Sequence, residues 1–149
     1  MGTPDLHAVV GGFAMKTAPR LAFAFATAIA IAAFPSGSRA EVSINDSGVD
    51  LALDCNKDPE ISMNGSSGTL TITGPCTKIS VNGATNTVTI ESALKVSVNG
   101  ASNTVTIDAV DKVSSNGASN TITYKRAVTP KKKVKVSNNG IKNSIKRLK

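Results

Sequence analysis

The chain has 149 residues, a formal charge of +7 and a pI near 9.7. It has no Trp and one Tyr, Tyr124, so an aromatic platform for sugars or stacked bases is lacking. Its single histidine, His7, lies upstream of an export-like segment, which excludes nucleophile-plus-imidazole catalysis in the remainder of the chain.

Residues 1–14, MGTPDLHAVVGGFA, fit poorly as the start of an export signal, so Met15 stands as an alternative start. Residues 15–40 follow the order of a secretory signal peptide. Lys16 and Arg20 form a basic entry, residues 21–34 are an apolar run with Thr27 as its one polar residue, Pro35 to Gly37 break any helix, and Ser38-Arg39-Ala40 precede a cleavage point. The apolar run is shorter than the ~20 residues that cross a bilayer core, so a cleaved leader is expected rather than a membrane helix. The predicted product is exported, periplasmic or secreted, starts at Glu41 and has no transmembrane segment.

Residues 41–60 hold six carboxylates and one Lys, and are expected to form an N-terminal cap. Cys55 and Cys76 are the only cysteines. In an oxidising compartment they are expected to form a disulfide, closing a loop that contributes about 3 kcal/mol on the chain-entropy view. Without a nearby His they make a poor metal site, and no cofactor is expected.

Residues 61–149 are a repeat. Aligned on Asn-Gly, the units are ISMNGSSGTLTITGPCTK (61–78), ISVNGATNTVTIESALK (79–95), VSVNGASNTVTIDAVDK (96–112), VSSNGASNTITYKRAVTPKKKVK (113–135) and VSNNGIKNSIKRLK (136–149). Each alternates β-branched and polar residues with period two, the pattern of half-buried strand. Asn-Gly is read as the turn between the runs, because glycine accepts positive φ and Asn tolerates it.

A unit this short cannot bury its apolar face alone. The units are expected to stack as about five short coils of an all-β, parallel β-helix-like solenoid. An antiparallel meander or barrel of hairpin repeats is the alternative, since Asn-Gly is also a hairpin turn. The second Asn of the last four units (Asn86, Asn103, Asn120, Asn143) favours the solenoid, where amides form hydrogen-bonded columns. The expected core columns are Ile79/Val96/Val113, Val81/Val98, Leu70/Val88/Val105/Ile122 and Ile72/Ile90/Ile107.

The fourth unit carries an insertion that includes Lys131, Lys132 and Lys133, read as a loop. Residues 121–149 hold ten Lys or Arg and no acid, so a solenoid would be acidic at one end and basic at the other.

The units resemble a family of exported bacterial proteins classed only as a domain of unknown function. Its members repeat V-S-G-x-x-N-T-V-T after a signal peptide, with a Cys before the first run and another in a G-P-C-like segment. The residues that match are Cys55, Gly74-Pro75-Cys76 and the NGATNTVTI and NGASNTVTI runs, over about residues 50 to 145. This chain departs in having V-N-G for V-S-G and a more basic C-terminal end. The resemblance implies export and a β-solenoid-like domain, and brings no activity or site residues.

Four surface features bear on function. Lys78, Lys95, Lys112 and Lys135 each end a unit and should form a column. With Lys131, Lys132 and Lys133 they are the candidate contacts for polyanions such as envelope polymers or lipid head groups. Lysines without aromatics read no nucleic-acid sequence. A T-x-T pair in four units (Thr69/Thr71, Thr87/Thr89, Thr104/Thr106, Thr121/Thr123) is similar to the ice-binding face of β-helical antifreeze proteins. Glu91, Asp108 and Lys125 share one repeat position, a solvated column rather than the carboxylate pair of a polysaccharide-cleaving β-helix. The expected protein is a non-enzymatic structural or interaction protein of the bacterial envelope.

Overall fold

The structure, a computed structural model, describes residues 41–149. The readings of a leader and of Met15 as a start fall on residues 1–40, outside the described residues.

The described chain is all-β. Its strands are β1 (Glu41–Ile44), β2 (Asp50–Asp54), β3 (Glu60–Met63), β4 (Thr69–Ala84), β5 (Thr87–Ala101), β6 (Thr104–Ala118), β7 (Thr121–Arg126), β8 (Lys135–Ile141) and β9 (Ser144–Arg147). Every ladder among them is parallel. Parallel pairing between consecutive units means a coil, since a hairpin pairs antiparallel. The protein is therefore a β-solenoid and the meander is excluded.

Equivalent residues of successive units stand one above another. Leu70, Val88, Val105 and Ile122 are in register, as are Ile79, Val96 and Val113. All the predicted core columns are buried, at 0–1% exposure. Each apolar side chain is covered by its counterparts about 4.8 Å above and below, so burial comes from stacking. Column Met63, Val81, Val98 then meets Ser115, whose buried hydroxyl has no hydrogen-bond partner among the described residues.

The first full unit is one residue longer than the next two. The register shift lies between Ile72 and Pro75, where Gly74 adopts φ +79°. Glycine takes that conformation without a Cβ clash. The extra residue is thus absorbed locally, and the ladders on both sides keep their register.

The corner differs from an Asn-Gly turn. Asn82, Asn99 and Asn116 remain in their strands and in register. The bend is made by the following Gly and by Thr85, Ser102 and Ser119 at φ 56–60°. Glycine is required there for a second reason: a Cβ on Gly100 would lie 1.9 Å from the Gly83 carbonyl oxygen of the coil beneath. Backbone stacks directly on backbone at this corner.

The second Asn holds the corner closed. Asn103 Nδ2 donates to Gly83 O at 3.0 Å, and its Oδ1 accepts the Asn86 N–H at 3.0 Å. Asn86 and Asn120 repeat the pattern toward Gly65 O and Gly100 O. These amides are buried, and satisfy backbone groups that a corner would otherwise orphan. The first Asn builds a separate ladder: Asn64, Asn82, Asn99, Asn116 and Asn139 each donate Nδ2 to Oδ1 of the Asn below, at 2.8–3.2 Å, ending on Asn45.

Within residues 41–60, expected as an N-terminal cap, residues 41–54 form a further coil. β1 pairs with β3 and β2 with β4, in the register of the units above. This coil covers the core of the next one because it is built on the same plan. Cys55 and Cys76 are bonded, with Cα atoms 5.0 Å apart, tying this coil to the one above across a sequence separation of 21.

Candidate anion-binding surface

The lysine column exists as a register feature. Lys78 stands under Lys95, Lys95 under Lys112 and Lys112 under Lys135. Glu60 and then Glu41 continue the column downward. Lys95, Lys112 and Lys135 are exposed, and among the described residues none of the three has a carboxylate within ion-pair distance. Like charges directly opposite on neighbouring strands destabilise a sheet. The column therefore carries repulsion that a bound anion would relieve.

The three insertion lysines are not equivalent. Asp111 is buried and anchors the loop: it accepts the Thr129 N–H at 2.9 Å, the Thr129 hydroxyl, and Lys132 Nζ at 3.2 Å. Hydrogen bonds from the Thr129 hydroxyl and amide, with Lys132, lower its pKa to about 2. All three are exposed, but Lys132 is thus committed to holding the loop, while among the described residues Lys131 and Lys133 show no ion pair. The signal for Asp111 lay in the repeat itself, where the equivalent position one coil below is Leu94.

At the C-terminal end a cleft of about 330 Å³ is lined by Tyr124, Ala127, Lys132, Lys133, Val134 and Arg147. Arg147 stands above Tyr124 in register and is oriented by its Nε–H, which donates to Lys125 O at 2.9 Å. Sequence reasoning passed over Arg147 and Tyr124, which gather only when β9 is laid on β7.

The carboxylates at the shared repeat position turn apart. Glu91 accepts the Gly74 N–H at 2.9 Å, from the coil beneath. Asp108 reaches up to Lys125 at 3.1 Å and Arg126 at 2.8 Å. Those two partners, Lys125 first, hold the Asp108 carboxyl below its usual range.

The threonine pairs form two straight ladders. Thr69, Thr87, Thr104 and Thr121 stack in one, and Thr71, Thr89, Thr106 and Thr123 in the other. All but Thr123 are exposed, with buried Leu70, Val88, Val105 and Ile122 between them pointing inward. Among the described residues no helix is long and apolar enough to cross a membrane.

No curated protein and no solved structure matches the chain. A family described as a protein of unknown function, DUF3060, matches it twice, over residues 63–109 and 93–140. The overlap of the two matches follows the repeat, and together they span more than half the chain. The chain belongs to the DUF3060 family of proteins of unknown function.

Proposed function

We propose that the protein is exported to the periplasm or beyond, loses residues 1–40, and acts there as a non-enzymatic binding module of the bacterial envelope. Its partner is an anionic surface, a phosphate- or carboxylate-bearing polymer or lipid head group, met through the lysine column and the basic C-terminal end. The supporting observation is the stack of exposed, unpaired Lys95, Lys112 and Lys135 in register. The Cys55–Cys76 bond is in keeping with an oxidising compartment. Point-charge contacts to an anionic chain release counterions, so binding should fall steeply with salt.

Retention on a heparin-like column tests this. Lys95→Ser with Lys112→Ser, and separately Lys131→Ser with Lys133→Ser, should elute at clearly lower salt while their melting temperatures barely move. Unchanged elution of both would refute the reading. Co-sedimentation with anionic vesicles, against competition by soluble polyphosphate, separates lipid from polymer partners. Intact mass of the protein purified from the producing cell should place its N-terminus within a few residues of Glu41.

A second reading, ice binding, is favoured by the paired Thr ladders alone. Thermal hysteresis of the purified protein would test it. Any hysteresis left unchanged by Thr104→Leu with Thr106→Leu would remove this reading.

A further inference from the structure

The two ends of the described solenoid are complementary edges. The lower edge is β1 and β2, each paired on one side only, to β3 and β4. The upper edge is β8 and β9, each likewise paired on one side, to β6 and β7. An unpaired strand edge is a template for another strand. Apolar side chains lie open at both edges, Leu51 at 38% exposure below, and Val136 at 47% and Ile141 at 71% above.

The register that builds the solenoid can be carried one step further. Placing β1 of a second copy on β8, as β8 lies on β6, sets Glu41 on Lys135, Val42 on Val136 and Ser43 on Ser137. Placing β2 of that copy on β9 sets Asp50 on Ser144 and Leu51 on Ile145. Val42 meets Val136, Leu51 meets Ile145 and a carboxylate meets a lysine, while further along the same strands Ile44 falls on Asn138 and Leu53 on Arg147. The outer Asn ladder also ends in complementary groups. In every step Nδ2 of the upper Asn donates to Oδ1 of the lower one. Asn45 at the bottom has its Nδ2 unused in the ladder, and Asn139 at the top has its Oδ1 unused. Charge points the same way: residues 41–60 hold six acids, and residues 121–149 ten Lys or Arg and no acid.

We infer that the protein associates with itself head to tail, the acidic N-terminal edge of one copy adding to the basic C-terminal edge of another. The contact is heterologous, so each added copy presents a fresh edge and the assembly is open-ended. Its fit is also poor at the corner, where Asp46 stands beneath Gly65 in the position held by glycine in the next five coils. Strand pairing of β1 on β8 and β2 on β9 therefore carries the contact. The inference rests on the proposed leader removal near Glu41, which makes β1 the start of the chain, and not on anion binding.

Sedimentation velocity of the protein, purified in the form the cell produces and with its mass measured, is the test. The weight-average mass should rise with concentration without levelling at a dimer, and the rise should be smaller at high salt. Lys135→Glu alone and Glu41→Lys alone each set like charges opposite across the contact, and each should weaken association by about tenfold. An equal mixture of the two variants restores opposite charges at every contact and should associate like the wild type. A correctly cut protein that stays monomeric at all concentrations overturns the stacking while leaving the anion-binding proposal to its own column test. Weakening without rescue in the mixture would equally overturn the head-to-tail arrangement. An intact mass that retains the leader, with no association, would overturn both the leader reading and the stacking.

Discussion

Replacing Asn103 by Ala should be among the most damaging single changes that leave the apolar core intact. The Asn103 amide accepts the Asn86 N–H at 3.0 Å and donates to Gly83 O at 3.0 Å and to Asn120 Oδ1 at 3.1 Å. Alanine leaves the Asn86 N–H and the Gly83 carbonyl without partners at a buried corner. A buried group left unsatisfied costs about 1–3 kcal/mol, so two orphans make a loss of about 3 kcal/mol or more. In a domain of this size that corresponds to a fall in Tm of about 12 °C or more. The comparison is Asn99→Ala in the outer ladder, whose bonds to Asn82 and Asn116 are 2.8 and 2.9 Å. Those partners lie at the edge of the molecule and can be rehydrated, so the loss should stay near 1 kcal/mol. Urea unfolding followed by far-ultraviolet circular dichroism measures both, with the slope m checked for constancy. Equal midpoints for the two variants would refute the division of labour between the Asn columns.

The remaining predictions concern the core, the disulfide and the loop anchor. Val105→Ala should cost about 1–3 kcal/mol from lost burial and a cavity, and Val105→Asp should prevent folding by burying an unpaired carboxylate; circular dichroism and urea midpoints report both. Ser115→Val should raise the urea midpoint, by about 1 kcal/mol in stability, because it removes a buried hydroxyl without a partner and continues the column of Val81 and Val98. A thiol assay on unfolded, unreduced protein should find no free thiol, and reduction should lower stability by about 3 kcal/mol. Asp111 has a folded pKa of about 2, below the ordinary value near 4, so its contribution is present above that ordinary value and lost as pH falls toward 2. The gap in urea midpoint between wild type and Asp111→Asn should accordingly narrow over that acid window, and a gap independent of pH would contradict the anchor.

Much of the architecture is legible from residue order because a repeat converts local pattern into tertiary position. Once one unit is seen to alternate Val-Thr-Ile, stacking dictates that Leu70, Val88, Val105 and Ile122 share a column. The sequence does not decide between coil and hairpin through the Asn-Gly pair, which suits both. The second Asn leans toward the coil, and its work there, closing the corner by bonding the Gly carbonyl of the coil below, is visible only in three dimensions.

Residue order alone carries the period, the inward residues, the cysteine pairing and the polarity of charge along the axis. The tertiary structure decided that residues 41–54 are a coil. Their run VSINDSGVDLALDC keeps the apolar alternation of the units but lacks the Asn-Gly and the second Asn by which the repeat is recognised. The glycine of Asn-Gly serves close backbone approach to a coil beneath, and among the described residues the lowest coil has none; the second Asn is missing from the 61–78 unit as well, where Gly68 stands. Tertiary structure also separated Lys132 from Lys131 and Lys133, since only the fold brings Asp111 under the loop. It turned a charge gradient read along the chain into two specific edges, with Glu41 and Lys135 at equivalent positions of the first and last coils.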